Sequence, residues 1–265
     1  NEIHPDYYQI PVADRQALLD EEAEDETKAE AEVIFREILF FAYGLGNAMT
    51  LPLWVGGTIV LDPRKPTPQT TFDNIAEYKP TLYFGVPTLY ASLLSHFDEL
   101  LSKPSLASVR ACVSAGEALP ADILRRWQER FDIHILDGIG STEALHIFIT
   151  NRLDNPIPGS TGRVVPGYTV RILDENDQVL GDGETGRLVV KGPSIARCYW
   201  EDHEQTSRIM RGEWLETGDT YIKDENDVFT YCGRTDDMMK VGGIWCSPFE
   251  IEAKLISHPA VLESA

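Results

Sequence analysis

At 265 residues the chain is long enough for one large domain or two small ones, with ample core. Its 43% hydrophobic and 25% charged residues are those of an ordinary globular protein in water, and a formal net charge of -20 argues against non-specific nucleic-acid binding, because an acidic surface repels phosphate backbones. The 4 cysteines (Cys112, Cys198, Cys232, Cys246) form no C-x-x-C pair, so neither a zinc site nor a disulfide framework is indicated, and a reducing cytoplasm is the simplest compartment.

Residues 1–36 form an atypical N-terminal segment. Asp20 to Glu32 is dominated by acids with Ala and reads as a solvated helix or a disordered acidic stretch without chemistry. Asn1 to Gln16 is polar and lacks the apolar core of a signal peptide. From Ile38 to Leu61 there is no charged residue, which raises a membrane span. Gly44, Gly46, Asn47, Pro52, Gly56 and Gly57 break that stretch into short pieces, so a buried helix–turn–strand is expected and no membrane span.

From Asp73 the chain alternates. Asn74 to Tyr78 reads as a helix end, Thr81 to Phe84 as a buried strand, and Gly85-Val86-Pro87 as a turn into a helical run over Thr88 to Leu94. Val109 to Val113 is a strand, Ala121 to Phe131 a helix opened by Pro120, and Ile133 to Leu136 a strand ending at Asp137-Gly138. Strand–turn–helix repetition implies an α/β fold, a mainly parallel sheet with helices, whose ligands gather at the strand C-terminal ends. From about residue 157 the texture becomes turn-rich, and Tyr168 to Leu173 and Gly186 to Val190 predict a small antiparallel β subdomain. Met238 to Val241 reads as a strand, and Ser247 is an N-cap candidate for a helix at the start of a further domain.

Four stretches combine a flexible turn with oxygen-bearing or charged side chains. They are Ser114-Ala115-Gly116-Glu117-Ala118, Gly138-Ile139-Gly140-Ser141-Thr142-Glu143, Thr217-Gly218-Asp219 and Gly233-Arg234-Thr235-Asp236-Asp237. Such turns suit a nucleotide held at several points. A Thr hydroxyl donates to a phosphate oxygen and a neighbouring carboxylate holds Mg²⁺, although Ser141-Thr142-Glu143 alone reads more readily as a capped helix N-terminus. A carboxylate at Asp219 suits the vicinal hydroxyls of a ribose.

Together and in this order the stretches resemble the adenylate-forming superfamily of acyl- and aryl-CoA ligases, peptide-synthetase adenylation domains and luciferases. The resemblance covers roughly residues 37 to 265 and implies ATP/AMP, Mg²⁺ and CoA as cofactors and co-substrates. It puts Gly116, Glu117 and Ala118 around adenine, with Asp137, Gly138 and Ile139 in the signature loop, where Ile139 replaces the Tyr that many members stack on the purine. Thr142 falls to the α-phosphate, Glu143 to the metal, and Asp219 and Arg234 to the ribose. Asp236 becomes the hinge of a rotating C-terminal domain, and Lys240 and Gly243 approach the site in thioester formation. For Lys240 a charged turn before a strand is an equal reading.

Phe40 to Ala48, Gly140 to Phe148 and Gly243 to Glu250 resemble benzoate-CoA ligases and related aryl-CoA ligases. Carried over by position, Ala42, Tyr43, Gly140, His146 and Ile147 wall a flat pocket for an aromatic carboxylate. The expected domains are an AMP-binding adenylation domain over 37–235 and a hinge with the start of a C-terminal domain over 236–265.

Two working parts of the family have no counterpart, the Ser/Thr/Gly-rich loop ending in Lys and the C-terminal catalytic Lys. The chain alone is therefore expected to be nearly inactive. A carrier-protein-loading adenylation domain and a non-catalytic AMP-binding module are the alternatives. The oligomeric state is not readable from the sequence; a homodimer is carried as an option. The assignment requires Glu117, Thr142, Asp219 and Arg234 to border one cavity.

Overall fold

The computed structural model describes residues 32–35, 41–62, 64–100, 103–237, 239–241, 244–246, 248–256 and 261. Five parallel strands come first: β1 (Glu32–Phe35), β2 (Thr58–Leu61), β3 (Leu82–Gly85), β4 (Ala111–Ser114) and β5 (Ile135–Gly140). β6 (Ile147–Thr150) and β7 (Arg163–Val164) extend the sheet antiparallel, completing the seven-stranded order β2-β1-β3-β4-β5-β6-β7.

Each helix beside this sheet has a local cause. In α1 (Ala42–Leu45) the chain starts a helix, widens into a π turn over Gly46–Thr50, and resumes as α2 (Leu51–Val55), which Gly56 ends at φ 69. A capping box between Thr67 and Thr70, with Pro68 at the first position, starts α3 (Pro68–Tyr78). Pro87 likewise opens α4 (Pro87–Glu99). In α5 (Ala121–Phe131) Ile123, Leu124 and Trp127 are buried while Arg125, Arg126, Glu129 and Arg130 face water. Asp122 in its first turn and Arg130 in its last complement the helix dipole.

The main core lies between the sheet and α3 to α5. Trp127 packs edge-on against Tyr90 at 4.9 Å and meets Phe131 at 4.5 Å. The Tyr90 hydroxyl donates to Val113 O at 2.8 Å, so a fully buried phenol is paired.

A second sheet has the order β10-β11-β9-β8, with β12 beside β11. Its strands are β8 (Thr169–Leu173), β9 (Thr185–Lys191), β10 (Met210–Arg211), β11 (Trp214–Lys223) and β12 (Phe229–Arg234), and α6 (His203–Ile209) precedes β10. Leu188, Val190, Leu215 and Tyr221 share a core with Ala144, Phe148 and Ile149 of the first sheet, which joins the two units. β13 (Met239–Val241), β14 (Ile244–Cys246) and α7 (Pro248–Ile256) complete the described chain.

The α/β class, the parallel sheet and the antiparallel subdomain agree with the sequence. Four details differ. Glu32–Phe35, counted with the atypical N-terminal segment, is a strand between β2 and β3, and the rest of that segment lies outside the described residues. The helix–turn–strand over Ile38 to Leu61 is present from Ala42 onward but is not buried throughout, because Leu53, Trp54 and Val55 of α2 are 71%, 72% and 67% exposed. Strand β4 starts at Ala111 because Val109 and Arg110 donate to Leu106 O and Thr81 O outside the ladder. Asp137 to Gly140 continues β5, so half of the signature loop is strand. Among the described residues no helix is long and apolar enough to cross a membrane. Ser247 lies outside the described residues.

Candidate functional site

At the C-terminal ends of β3 to β5, α1 faces the turn that joins β5 to β6, and between them lies a cavity of about 730 Å³. Ala42, Tyr43, Gly140, His146 and Ile147 all line it, together with Gly116, Glu117 and Thr142. The Tyr43 hydroxyl donates to Val113 O (3.2 Å) and Gly85 O (3.4 Å), pinning α1 to the ends of β4 and β3. Its ring stacks on His146 with centroids 5.9 Å apart and planes 26° apart. Burial lowers the His146 pKa, against a hydrogen bond to the Tyr43 backbone that raises it.

Glycine at two positions lets the chain close up around His146. A Cβ on Gly140 would stand 2.4 Å from His146 O, and a Cβ on Gly46 would stand 2.2 Å from His146 Cδ2. Backbone approach of this kind admits only hydrogen. Phe84, Val86, Pro66 and Leu89 also line the cavity. Nothing in their sequence setting singled them out.

The Ser141 to His146 segment is a hairpin connection, not a helix N-terminus, because Ile147 returns antiparallel to Gly140. The Ala144 amide donates to Ser141 Oγ (3.1 Å) and the Leu145 amide to Thr142 O (3.1 Å), with Leu145 left-handed at φ 70. Glu143 is half-buried and off the cavity wall. Tyr199 donates to its Oε1 at 2.6 Å, and the Ala196 amide donates to its carbonyl at 2.7 Å. Burial first, then the Glu143 carboxylate, pushes the Tyr199 phenol up to about 12. Sequence reasoning missed Tyr199, which is 56 positions from its partner and carries no local motif.

Asp137 and Ser114 are register partners on β5 and β4. Both side chains are buried, and Asp137 Oδ1 and Ser114 Oγ have no hydrogen-bond partner among the described residues. Burial raises the Asp137 carboxyl well above its ordinary value. Ala118, Gly138 and Ile139 do not line the cavity; Ile139 packs against the core of the second sheet.

One requirement is not met: Glu117 and Thr142 border the cavity, whereas Asp219 and Arg234 do not. The latter are register partners on β11 and β12, and the Arg234 guanidinium donates to Asp219 Oδ1 (2.9 Å) and Thr217 O (3.1 Å). The pairing across two strands keeps both groups on the β subdomain. Burial raises the Asp219 carboxyl, and the Arg234 charge opposes that rise. The Thr235 amide donates to Gly218 O (2.9 Å), tying the turn before exposed Asp236 to the Thr217-Gly218-Asp219 bend. Lys240 sits on β13 opposite Trp245, and Gly243 lies outside the described residues.

Among the described residues no group of three or more His, Cys, Asp or Glu is placed to hold a metal. Glu143, the residue after Thr142, offers a single hard carboxylate oxygen donor, which fits Mg²⁺ arriving with phosphate and water ligands of its own.

Residues 16–200 match the AMP-binding enzyme family. The chain is 48% identical over 238 residues to the benzoate-CoA ligase of Thauera aromatica, covering 89% of this chain and 45% of that protein. It is 37% identical over 228 residues to an anthranilate-CoA ligase of Pseudomonas aeruginosa, covering 85% of this chain and 43% of that one. Among solved structures, a benzoate CoA ligase from Burkholderia xenovorans LB400 superposes with a TM-score of 0.82 at 45% identity, covering 88% of this chain and 47% of the other. The anthranilate CoA ligase AuaEII, in complex with anthranoyl-AMP, gives 0.83 at 39% identity, covering 88% and 45%. The chain thus spans about half the length of the curated relatives it matches. It belongs to the AMP-binding enzyme family.

Proposed function

We propose that this chain carries the aryl- and nucleotide-binding half of an AMP-forming aryl-CoA ligase. In the first step a carboxylate oxygen of an aromatic acid attacks the α-phosphorus of ATP, forming an acyl-adenylate and releasing pyrophosphate. In the second the CoA thiol attacks the acyl carbon, losing its proton, and AMP leaves. The mixed anhydride is itself the activated species, so no covalent enzyme intermediate is needed. ATP and CoA are cytoplasmic substrates, which is where we place the reaction.

The residues divide this work by their chemistry. Ala42, Tyr43, Gly140, His146 and Ile147 hold the ring between apolar faces and exclude water from it. Thr142, on the same wall, meets the α-phosphate, and Gly116 and Glu117 lie where the adenine would extend. Ala118, Gly138 and Ile139 would back the adenine site, and the buried Oδ1 of Asp137, without a partner among the described residues, would meet an amine edge. Asp219 and Arg234 would take the ribose by exchanging part of their mutual contact for its vicinal hydroxyls. Mg²⁺ at Glu143 would neutralise phosphate charge. Asp236 is assigned as the pivot, and Lys240 and Gly243 are assigned to the thioester-forming step.

The observation carrying this reading is that all five aryl-wall residues border one cavity with Thr142 and Gly116. Calorimetry of the chain with AMP and with a non-hydrolysable benzoyl-adenylate tests it. Burial of the ring is worth roughly 2 kcal/mol, so the adenylate is expected to bind about thirtyfold more tightly than AMP. Equal affinities would refute the aryl assignment.

A further inference from the structure

We propose that Tyr199 is a positioning residue that fixes the Glu143 carboxylate for a nucleotide-bound metal. The proposal rests on the assignment of Glu143 as the metal ligand. It starts from the segment after β9, residues 192–199, which fastens onto the turn that carries Glu143.

Ser194 Oγ donates to Ala144 O at 2.6 Å, and Tyr168 shares a 2.6 Å hydrogen bond with Ser194. The Ala196 amide donates to Glu143 O at 2.7 Å. These contacts hold the main chain of the turn but leave the Glu143 side chain free to rotate. Tyr199 supplies the missing restraint through its 2.6 Å bond to Oε1. No hydrogen bond reaches Glu143 Oε2 among the described residues, so the fixed carboxylate keeps one oxygen for a ligand. Tyr199 is itself anchored, since its amide donates to Thr206 Oγ1 (2.9 Å), which donates in turn to Asp202 O (2.6 Å). The result is a chain of hydrogen bonds from α6 through Tyr199 to the carboxylate. A partner that orients a metal-binding carboxylate tunes metal affinity without touching the metal.

The test measures ATP affinity of the chain by calorimetry, first with a chelator and then with Mg²⁺, in the wild type, Tyr199→Phe, Glu143→Gln and the double variant. Tyr199→Phe keeps the ring and deletes only the donor. It is expected to reduce the metal-linked gain in ATP affinity about tenfold while leaving metal-free ATP binding and the melting temperature unchanged. In the Glu143→Gln background the same change is expected to do nothing further, because the coupled partner is gone. Ser194→Ala loosens the same turn away from the carboxylate and is expected to preserve the gain. A full gain in Tyr199→Phe, an equal loss in Ser194→Ala, or a further loss in the double variant would overturn the proposal. A wild-type chain with no metal-linked gain would instead overturn the metal role of Glu143, and this proposal with it.

Discussion

The aryl wall and the Asp219–Arg234 pair are both parts of the candidate site, yet they are built on opposite terms. The wall is made of apolar faces and backbone, with Gly140 drawn in until no side chain fits. The pair consists of two charges that satisfy each other across adjacent strands and stay off the cavity. Apolar faces and backbone have no partners to exchange when a ring arrives, whereas a buried carboxylate is costly unless it is paired or protonated. Shape is therefore preformed here, and polar recognition is set by exchange of partners when the nucleotide binds.

The contrast breaks most visibly at the wall. Gly140→Val would drive a side chain into the His146 carbonyl, which cannot yield, and should cost about 3 kcal/mol in a urea titration. An unchanged midpoint would show that the close approach is not needed. On the polar side, Arg234→Met leaves the Asp219 carboxylate alone. Because the guanidinium is half exposed, the loss should be about 1–2 kcal/mol near neutral pH. It should shrink in acid, where Asp219 takes up a proton; a loss independent of pH would contradict the pairing.

Asp137 sharpens the same comparison, being a buried carboxyl with no charge partner among the described residues. Its pKa is raised in the folded chain, so the folded state binds the proton more tightly than the unfolded state. Its contribution to stability is full below the unfolded carboxyl value, near about 4, and is lost as pH climbs through the folded value. Asp137→Asn should therefore gain on the wild type in thermal melts as pH is raised, and a difference flat with pH would refute the buried ionisable group. Least of all, Leu145→Gly relieves a left-handed residue in the signature turn and should raise stability by about 1 kcal/mol or less. Chemical denaturation would detect it, and a destabilised variant would mean that the Leu145 side chain outweighs the strain.

Where a local pattern sets the structure, the sequence was readable. Ala121–Phe131 was bounded correctly because Ile123, Leu124 and Trp127 mark one face and Pro120 marks the start. The five residues that the family resemblance puts in the aryl pocket lie on two contiguous segments, and both segments reach one cavity. What escaped depends on long-range pairing. Strand β5 runs through Gly140 because β6 returns against it, and Glu32–Phe35 is a strand because β2 and β3 flank it. Tyr199 meets Glu143 across 56 positions of chain, and Arg234 turns to Asp219 because register puts them side by side.

Cys198 precedes Tyr199 and is exposed, whereas Cys112 and Cys232 are buried. Burial also raises the Cys112 thiol pKa far above its ordinary value, which keeps it an unreactive thiol. A maleimide dye offered to the folded protein should thus prefer Cys198 among these three. The fluorophore would then sit one residue from the phenol that grips the Glu143 carboxylate, and its emission would report nucleotide arrival in real time.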